Sequence, residues 1–128
     1  MDKRIDVLAV MIRHKHTVHD LAELELAYAP PYSSAKDPVN IAGYMAENIL
    51  DGLTDVISYG ELDHMMTQGA MLIDVRTPDE YDNGHLPQAK NIPLDVLRDH
   101  LHELDQEKPL IVYCRVGQRG YLAERLLK

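Results

Sequence analysis

Two short apolar runs constrain the fold of this 128-residue chain more than any other feature. They span residues 71–75 and 110–113, and each has the length and continuity of a strand that is buried on both faces. Residues 94–104, between the runs, instead show helical periodicity. Strands that alternate with helices form parallel sheets with right-handed crossovers. The sequence therefore predicts an α/β fold in which helices flank a parallel sheet.

Residues 53–128 carry the whole of this alternating pattern, and we assign them to one domain. Besides the two runs, we expect short strands at residues 55–58 and 89–92. We expect helices at residues 59–67 and 94–104, and a last helix that runs from the loop after Cys114 to Lys128.

Residues 1–52 have a different pattern, which predicts short helices around a proline-rich crossing segment. Helical spacing predicts a first helix with one apolar stripe, formed by Ile5, Leu8, Ala9 and Ile12. Thr17 is a suitable N-cap for a short second helix. Asp37-Pro38 is a suitable start for a third helix, which ends at Asp51-Gly52. Three such helices are too few to form a stable domain alone.

Composition and charge exclude several classes of protein. The net charge is −8 and the pI is about 5.2, which argues against general binding to nucleic-acid phosphates and against a polybasic membrane anchor. One cysteine cannot form an internal disulfide or a structural zinc site. No apolar run approaches the ~20 residues that a transmembrane helix needs, and the N-terminus lacks the pattern of a signal peptide. We therefore expect a cytoplasmic protein with no nucleic-acid or membrane partner.

The loop over residues 114–119 carries the clearest chemical signal. A buried strand enters it and a helix leaves it, which places it at the carboxyl edge of the sheet, where open α/β folds bind ligands. Backbone N–H groups at a helix N-terminus form an anion-binding cradle that lowers the pKa of a thiol. Cys114 is therefore a candidate nucleophile, and Arg115 and Arg119 favour an anionic substrate. The alternative is that Cys114 is a buried core residue.

The region of residues 55–128 resembles a rhodanese domain. The resemblance is carried by four segments, residues 74–81, 84–86, 89–93 and 114–119. Rhodanese domains are sulfurtransferases, so the resemblance implies that Cys114 carries a persulfide. It further implies that the other loop residues bind the substrate, namely Arg115, Val116, Gly117, Gln118 and Arg119. Asp74 and Arg76 would brace the active-site loop, Tyr81 would pack and His85 would be structural.

Residues 24–40 resemble the end of the dimerisation domain of flavin-dependent pyridine nucleotide–disulfide reductases, above all the coenzyme A-disulfide reductases that carry a C-terminal rhodanese domain. That resemblance implies that residues 1–52 are the C-terminal part of such a dimerisation domain. It also implies a homodimer in which Tyr28, or else Tyr32, contacts coenzyme A, although both tyrosines could equally be packing residues. It implies FAD, NAD(P)H and coenzyme A only for a longer parent enzyme. No glycine-rich dinucleotide fingerprint is present, so we expect this chain to bind no such cofactor.

Several departures and rival interpretations accompany these resemblances. Rhodanese domains continue into a further strand after the loop helix, so we expect this sheet to lack its last strand. Four residues separate Cys114 from Arg119, whereas related cysteine phosphatases have a longer and wider loop. A non-enzymatic alternative is a dimerisation or coenzyme A-recognition fragment with an unreactive Cys114. A metal site is not expected, because the spacing of His14, His16 and His19 does not place all three on one helical face.

Overall fold

A computed structural model describes residues 2–27 and 36–128. The chain divides into two compact units, Met1–Asp55 and Val56–Lys128. The first unit contains helices α1 (Asp2–Arg13), α2 (Val18–Ala22) and α3 (Pro38–Leu50). The second contains helices α4 (Tyr59–Thr67), α5 (Pro78–Asp82) and α6 (Gln118–Leu127), strands β1 (Met71–Asp74), β2 (Lys90–Asn91) and β3 (Leu110–Tyr113), and a 3-10 helix (Leu94–Glu103).

The three predicted helices of the first unit are present, and their caps are those expected. Thr17 begins α2 with a capping box, in which its side chain accepts a hydrogen bond from the backbone N–H of Asp20. Asp37 begins α3 and accepts from the backbone N–H of Val39 at 3.0 Å. The buried Asn40 amide donates to carbonyl oxygens at the end of α2, including that of Leu24 at 2.9 Å. These contacts join α2 to α3.

The apolar stripe predicted on α1 is not the buried face of that helix. Ile5 and Ile12 are 63% and 77% exposed, and the buried apolar residue of this helix is Met11. Residues 5 and 12 lie two turns apart on one side of the helix, whereas residue 11 lies about 100° away from residue 12. Periodicity therefore identified the helix but not the side that packs.

The sheet of the second unit has the order β2-β1-β3, and both pairings are parallel. Ile73 pairs with Lys90 on one side and with Val112 on the other, so β1 is the central strand within the described residues. The predicted α/β fold with a parallel sheet flanked by helices is confirmed.

Successive residues of β1 point to opposite faces of the sheet, as the period of a strand requires. Ile73 belongs to a core cluster with Leu97 of the 3-10 helix and Ala123 of α6. Leu72 belongs to a second cluster, which includes Ile111 and side chains of α4. The helices therefore cover both faces, which explains the continuous apolar runs.

The secondary structure corrects the predictions at four places. Residues 55–58 form no strand: Ser58 donates its backbone N–H to Glu61 at 2.7 Å as the cap of α4, while Val56 is exposed. The strand predicted at residues 89–92 is only Lys90–Asn91. The segment after Pro93 is a 3-10 helix. The sequence did not indicate this, because the spacing of its apolar residues suits either helix type. Helix α5 was not predicted.

Among the helices in residues 2–27 and 36–128, none combines the length and the apolarity that a bilayer crossing requires.

Replacing Leu97 by Ala should destabilise the second unit by about 2–5 kcal/mol, because Leu97 is fully buried and the truncation leaves a cavity. Leu101→Ala is the matched control, since Leu101 lies in the same 3-10 helix but is 39% exposed. Urea unfolding followed by circular dichroism measures both. Equal losses of stability for the two variants would contradict this description of the core.

Candidate active site

The loop over residues 114–119 lies at the carboxyl edge of the sheet. Strand β3 ends at Tyr113, and α6 begins at Gln118. The adjacent strand β1 ends at the same edge, where the backbone N–H of Val75 donates to Tyr113 O at 3.1 Å. Gly117 has φ +96°, in the region that favours glycine, and this conformation turns the chain into α6.

The turn brings backbone donors onto the sulfur of the half-buried Cys114. The N–H of Gly117 lies 3.1 Å from Sγ, and the N–H of Gly120 lies 3.4 Å from it. Partial burial of the thiol raises its pKa, but hydrogen bonds from the backbone of Gly120, Val116, Gly117 and Arg119 outweigh burial and hold the pKa below its ordinary value. The loop therefore favours a thiolate at Cys114.

The two arginines of the loop have different surroundings. Both terminal nitrogens of Arg119 donate to Glu80 of α5, Nη1 to Oε2 at 2.6 Å and Nη2 to Oε1 at 2.8 Å. The side chain of Arg115 is exposed and makes no ion pair with any described residue. Val116, next to it, is 82% exposed. Arg115 and Val116 are therefore accessible to a substrate. Arg119 is partly buried, and its hydrogen bonds to Glu80, together with a weaker interaction with Cys114, raise its pKa.

Two parts of this site were not identified from the sequence: the N–H of Gly120, one residue beyond the predicted loop, and the side chain of Glu80. Hydrogen bonds from the Arg119 side chain and from the backbone of Thr77 lower its pKa to about 2. Thr77 completes a capping box at α5, and its N–H and Oγ1 both lie 3.1 Å from Oε2 of Glu80. A helix-start signal in the sequence could have located α5. It consists of Thr77, the proline that follows it, and Glu80 three residues after the threonine.

Asp74 and Arg76 form a close ion pair at the end of β1. Asp74 is fully buried, and Arg76 Nη2 lies 2.6 Å from its Oδ2. Arg76 Nη2 also donates to Gly84 O at 2.8 Å. The pair thus braces the segment around Gly84. Asp74 also accepts a hydrogen bond from the side chain of Tyr113, the residue before Cys114, and Glu80 binds Arg119 at the other end of the loop. That Asp74 and Arg76 brace the active-site loop stays a prediction.

Burial raises the pKa of the Asp74 carboxyl, but hydrogen bonds from Arg76 and Tyr113 and from the backbone of Arg76 hold the pKa below its usual range. Tyr113 also accepts a hydrogen bond from the N–H of Leu86 at 3.1 Å. Asp74 therefore remains charged. Its hydrogen bonds fix Arg76 and Tyr113 at the carboxyl edge of the sheet, where the Cys114 loop begins.

The side chains of Tyr81 and His85 pack against each other. The ring centroids lie 3.7 Å apart and the rings are nearly parallel. Tyr81 donates its hydroxyl hydrogen to Ala89 O at 2.7 Å, and Nδ1 of His85 lies 3.0 Å from Tyr81 O. These contacts join α5 to the loop before β2.

The other candidate residues belong to the first unit. Tyr28 and Tyr32 lie outside the described residues, so their contact with coenzyme A stays a prediction. His16 lies 3.5 Å from Asp20, and His19 lies 2.8 Å from Glu47. Over residues 2–27 and 36–128, the structure contains no group of His, Cys, Asp and Glu side chains that could hold a metal ion.

The second unit is an α/β domain with a parallel sheet and a cysteine loop at the carboxyl edge of that sheet. The family model of the rhodanese-like domain matches residues 58–128, and the chain belongs to that family. The coenzyme A disulfide reductase of Staphylococcus epidermidis is 56% identical over 46 residues, which cover 36% of this chain and 10% of that protein.

Two solved structures resemble nearly the whole chain. Reduced Bacillus anthracis CoADR-RHD has 52% identity and a TM-score of 0.92, and the match covers 98% of this chain and 23% of that one. The NAD-dependent persulfide reductase from A. fulgidus has 39% identity and a TM-score of 0.82, with 98% and 22% covered. The resemblance to coenzyme A-disulfide reductases that carry a rhodanese domain is confirmed. The chain spans about a tenth of that curated relative and less than a quarter of either solved chain.

The pKa of Cys114 should be lower in the folded chain than in the unfolded chain, because folding supplies the N–H donors. Alkylation by iodoacetamide reports the thiolate, and this chain has one cysteine, so the rate against pH gives one midpoint. We expect the midpoint in buffer to lie below the midpoint in guanidinium chloride. A folded midpoint equal to or above the unfolded one would contradict the described loop.

Proposed function

We propose that the second unit is a rhodanese-type sulfurtransferase that carries a persulfide on Cys114. The observation that carries the proposal is the pair of N–H groups, of Gly117 and Gly120, that converge on Sγ. A persulfide anion has the same charge as the thiolate and extends from it by one sulfur atom. Membership of the rhodanese-like family supports the same chemistry.

The reaction has two steps, each a displacement at sulfur. The Cys114 thiolate attacks the sulfane sulfur of a donor such as thiosulfate. A sulfur–sulfur bond forms to Cys114, the donor's bond breaks, and sulfite leaves with the electron pair. A thiol or cyanide then attacks the outer sulfur of the persulfide, takes it, and restores the thiolate. No external oxidant or reductant is needed, and the order of events is that of a ping-pong enzyme.

Arg115 is the side chain that we assign to binding of the anionic donor. It is exposed next to the cysteine, while Arg119 already binds Glu80 through two hydrogen bonds. A cation beside the loop raises the local concentration of an anionic substrate in an otherwise acidic protein. Val116 would contact the less polar part of a larger thiol acceptor.

We further propose that this unit works within a coenzyme A-disulfide or polysulfide reductase, to whose coenzyme A thiol chemistry it delivers sulfur. The names of the relatives support that setting. In it, FAD, NAD(P)H and coenzyme A would be held by parts of a longer protein, which would be a cytoplasmic homodimer. Substitution of Cys114 should then reduce persulfide turnover by the intact enzyme.

A second candidate function is that of a non-catalytic dimerisation or coenzyme A-recognition fragment. The observation that favours it is an exposed apolar stripe on α3, formed by Ile41, Met45 and Ile49 at four-residue spacing. Such a stripe suits association with another helix. This candidate requires an unreactive Cys114, so the persulfide experiment separates the two.

The purified chain should gain the mass of one sulfur atom after treatment with thiosulfate and lose it after cyanide. The control is Cys114→Ser, which removes the nucleophile and should show no gain. Intact-mass spectrometry under non-reducing conditions makes the measurement. An unmodified wild-type chain, with the thiol shown to be reduced and accessible, would overturn the sulfurtransferase proposal and favour the non-catalytic candidate.

Replacing Arg115 by Gln should raise the KM for thiosulfate by about two- to fivefold, the size expected for an exposed charge interaction. The matched control is Arg98→Gln, because Arg98 is also an exposed arginine of the second unit and forms no ion pair with a described residue. The effect should shrink as the salt concentration rises. Identical KM values for the two variants would remove Arg115 from donor binding.

A further inference from the structure

Glu80 connects two parts of the second unit that are far apart in the sequence. It lies 39 residues before Arg119, yet its carboxylate accepts two hydrogen bonds from that side chain, at 2.6 and 2.8 Å. The same carboxylate is fixed from behind by the N–H and Oγ1 of Thr77. Both of its oxygens are therefore engaged, and its position is set by the start of α5.

Arg119 lies in the first turn of α6, where the loop supplies its donors to Cys114. The N–H of Gly120, the next residue, lies 3.4 Å from Sγ. An anchor on the Arg119 side chain therefore restrains the part of the backbone that faces the sulfur. A two-point contact restrains both the position and the orientation of the guanidinium.

We propose that Glu80 is a positioning residue, which holds the Cys114 loop in its thiolate-binding conformation through Arg119. The proposal rests on the proposed function only in taking that thiolate to be the sulfur-accepting group. Its physical content is the coupling between a carboxylate on α5 and the ionisation of a cysteine after β3.

Substitution of Glu80 should change the pKa of Cys114 differently under three physical alternatives. If Glu80 acts only through its own charge, its removal takes a negative charge away from the thiolate and lowers the pKa of Cys114. If Glu80 acts through the loop, its removal loosens the N–H donors and raises that pKa. A purely structural ion pair would change the stability of the unit and leave the pKa unchanged.

Two substitutions of Glu80 and one double-mutant cycle between Glu80 and Arg119 decide between these alternatives. Glu80→Gln removes the charge, and Glu80→Asp keeps the charge but withdraws it from Arg119 by one methylene group. We expect both variants to raise the alkylation midpoint of Cys114 and to slow alkylation at pH 7 by roughly fivefold, the net size of one typical hydrogen bond. Arg119→Gln should also raise the midpoint, but its guanidinium interacts directly with Cys114 as well, so this single variant does not separate the alternatives. The test is the double variant: adding Glu80→Gln to Arg119→Gln should change the midpoint little further.

The matched control is Glu103→Gln, since Glu103 also forms ion pairs, with Lys90 and His100, and its pKa is likewise lowered, to about 2, by these partners. We expect this control to leave the midpoint unchanged. Urea unfolding of each variant identifies any that is not folded, and Glu80→Asp, the mildest change, then stands in for Glu80→Gln.

A lower midpoint in Glu80→Gln with no change in Glu80→Asp would overturn the proposal in favour of a direct charge effect. Unchanged midpoints in folded variants would overturn it in favour of a structural ion pair. Alkylation requires no sulfur transfer, so these results are independent of whether the wild-type chain accepts sulfur from thiosulfate.

Discussion

The hydrogen bonds from Gly117 and Gly120 to the sulfur of Cys114 are the interaction on which the account depends. They replace water around an anion with donors that are fixed by the start of α6, so no reorganisation is needed when the thiolate forms. Partial burial works against the charge, and the backbone donors outweigh it. A helix start alone would offer donors, but here the left-handed turn at Gly117 brings them onto the sulfur.

The segment after β1 supplies the supports for this arrangement. Asp74 and Arg76 fix the chain near Gly84. Glu80, four residues after Arg76, binds Arg119 of the loop helix. One support lies in the buried edge of the sheet and the other at the surface of the site. The Glu80 contact also changes the electrostatics, because it pairs Arg119 and leaves Arg115 as the loop arginine without an ion pair to a described residue.

Much of the fold follows from the sequence because strands buried on both faces have a distinct pattern. β1 and β3 could be located this way, and so could the helices whose caps are clear, such as α3 after Asp37. The strand proposed at residues 55–58 fails because only Ile57 packs, and Ser58 serves as a helix cap. The apolar stripe on α1 is not its buried face, because periodicity does not say which side of a helix meets a neighbour.

The site was predictable only in its local part. The order of residues in the loop identifies Cys114 and the donor Gly117, since strand, loop and helix are contiguous, but the second donor, Gly120, lies one residue beyond the predicted loop. The hydrogen bonds between Glu80 and Arg119 join residues that are 39 positions apart in the sequence. They depend on where α5 packs in the folded unit, and no local pattern contains that information. The different surroundings of Arg115 and Arg119 follow from the same long-range contact, so the sequence alone could not separate their roles.

The most direct measurement is a pH titration of the chain followed by the backbone amide signals in ¹⁵N NMR spectra. If the amides hold the thiolate, the signals of Gly117 and Gly120 shift together, with one midpoint below that of a free thiol, and the shift is absent in Cys114→Ser. Amide signals that do not respond to ionisation of Cys114, or a midpoint at the free-thiol value, would contradict the account.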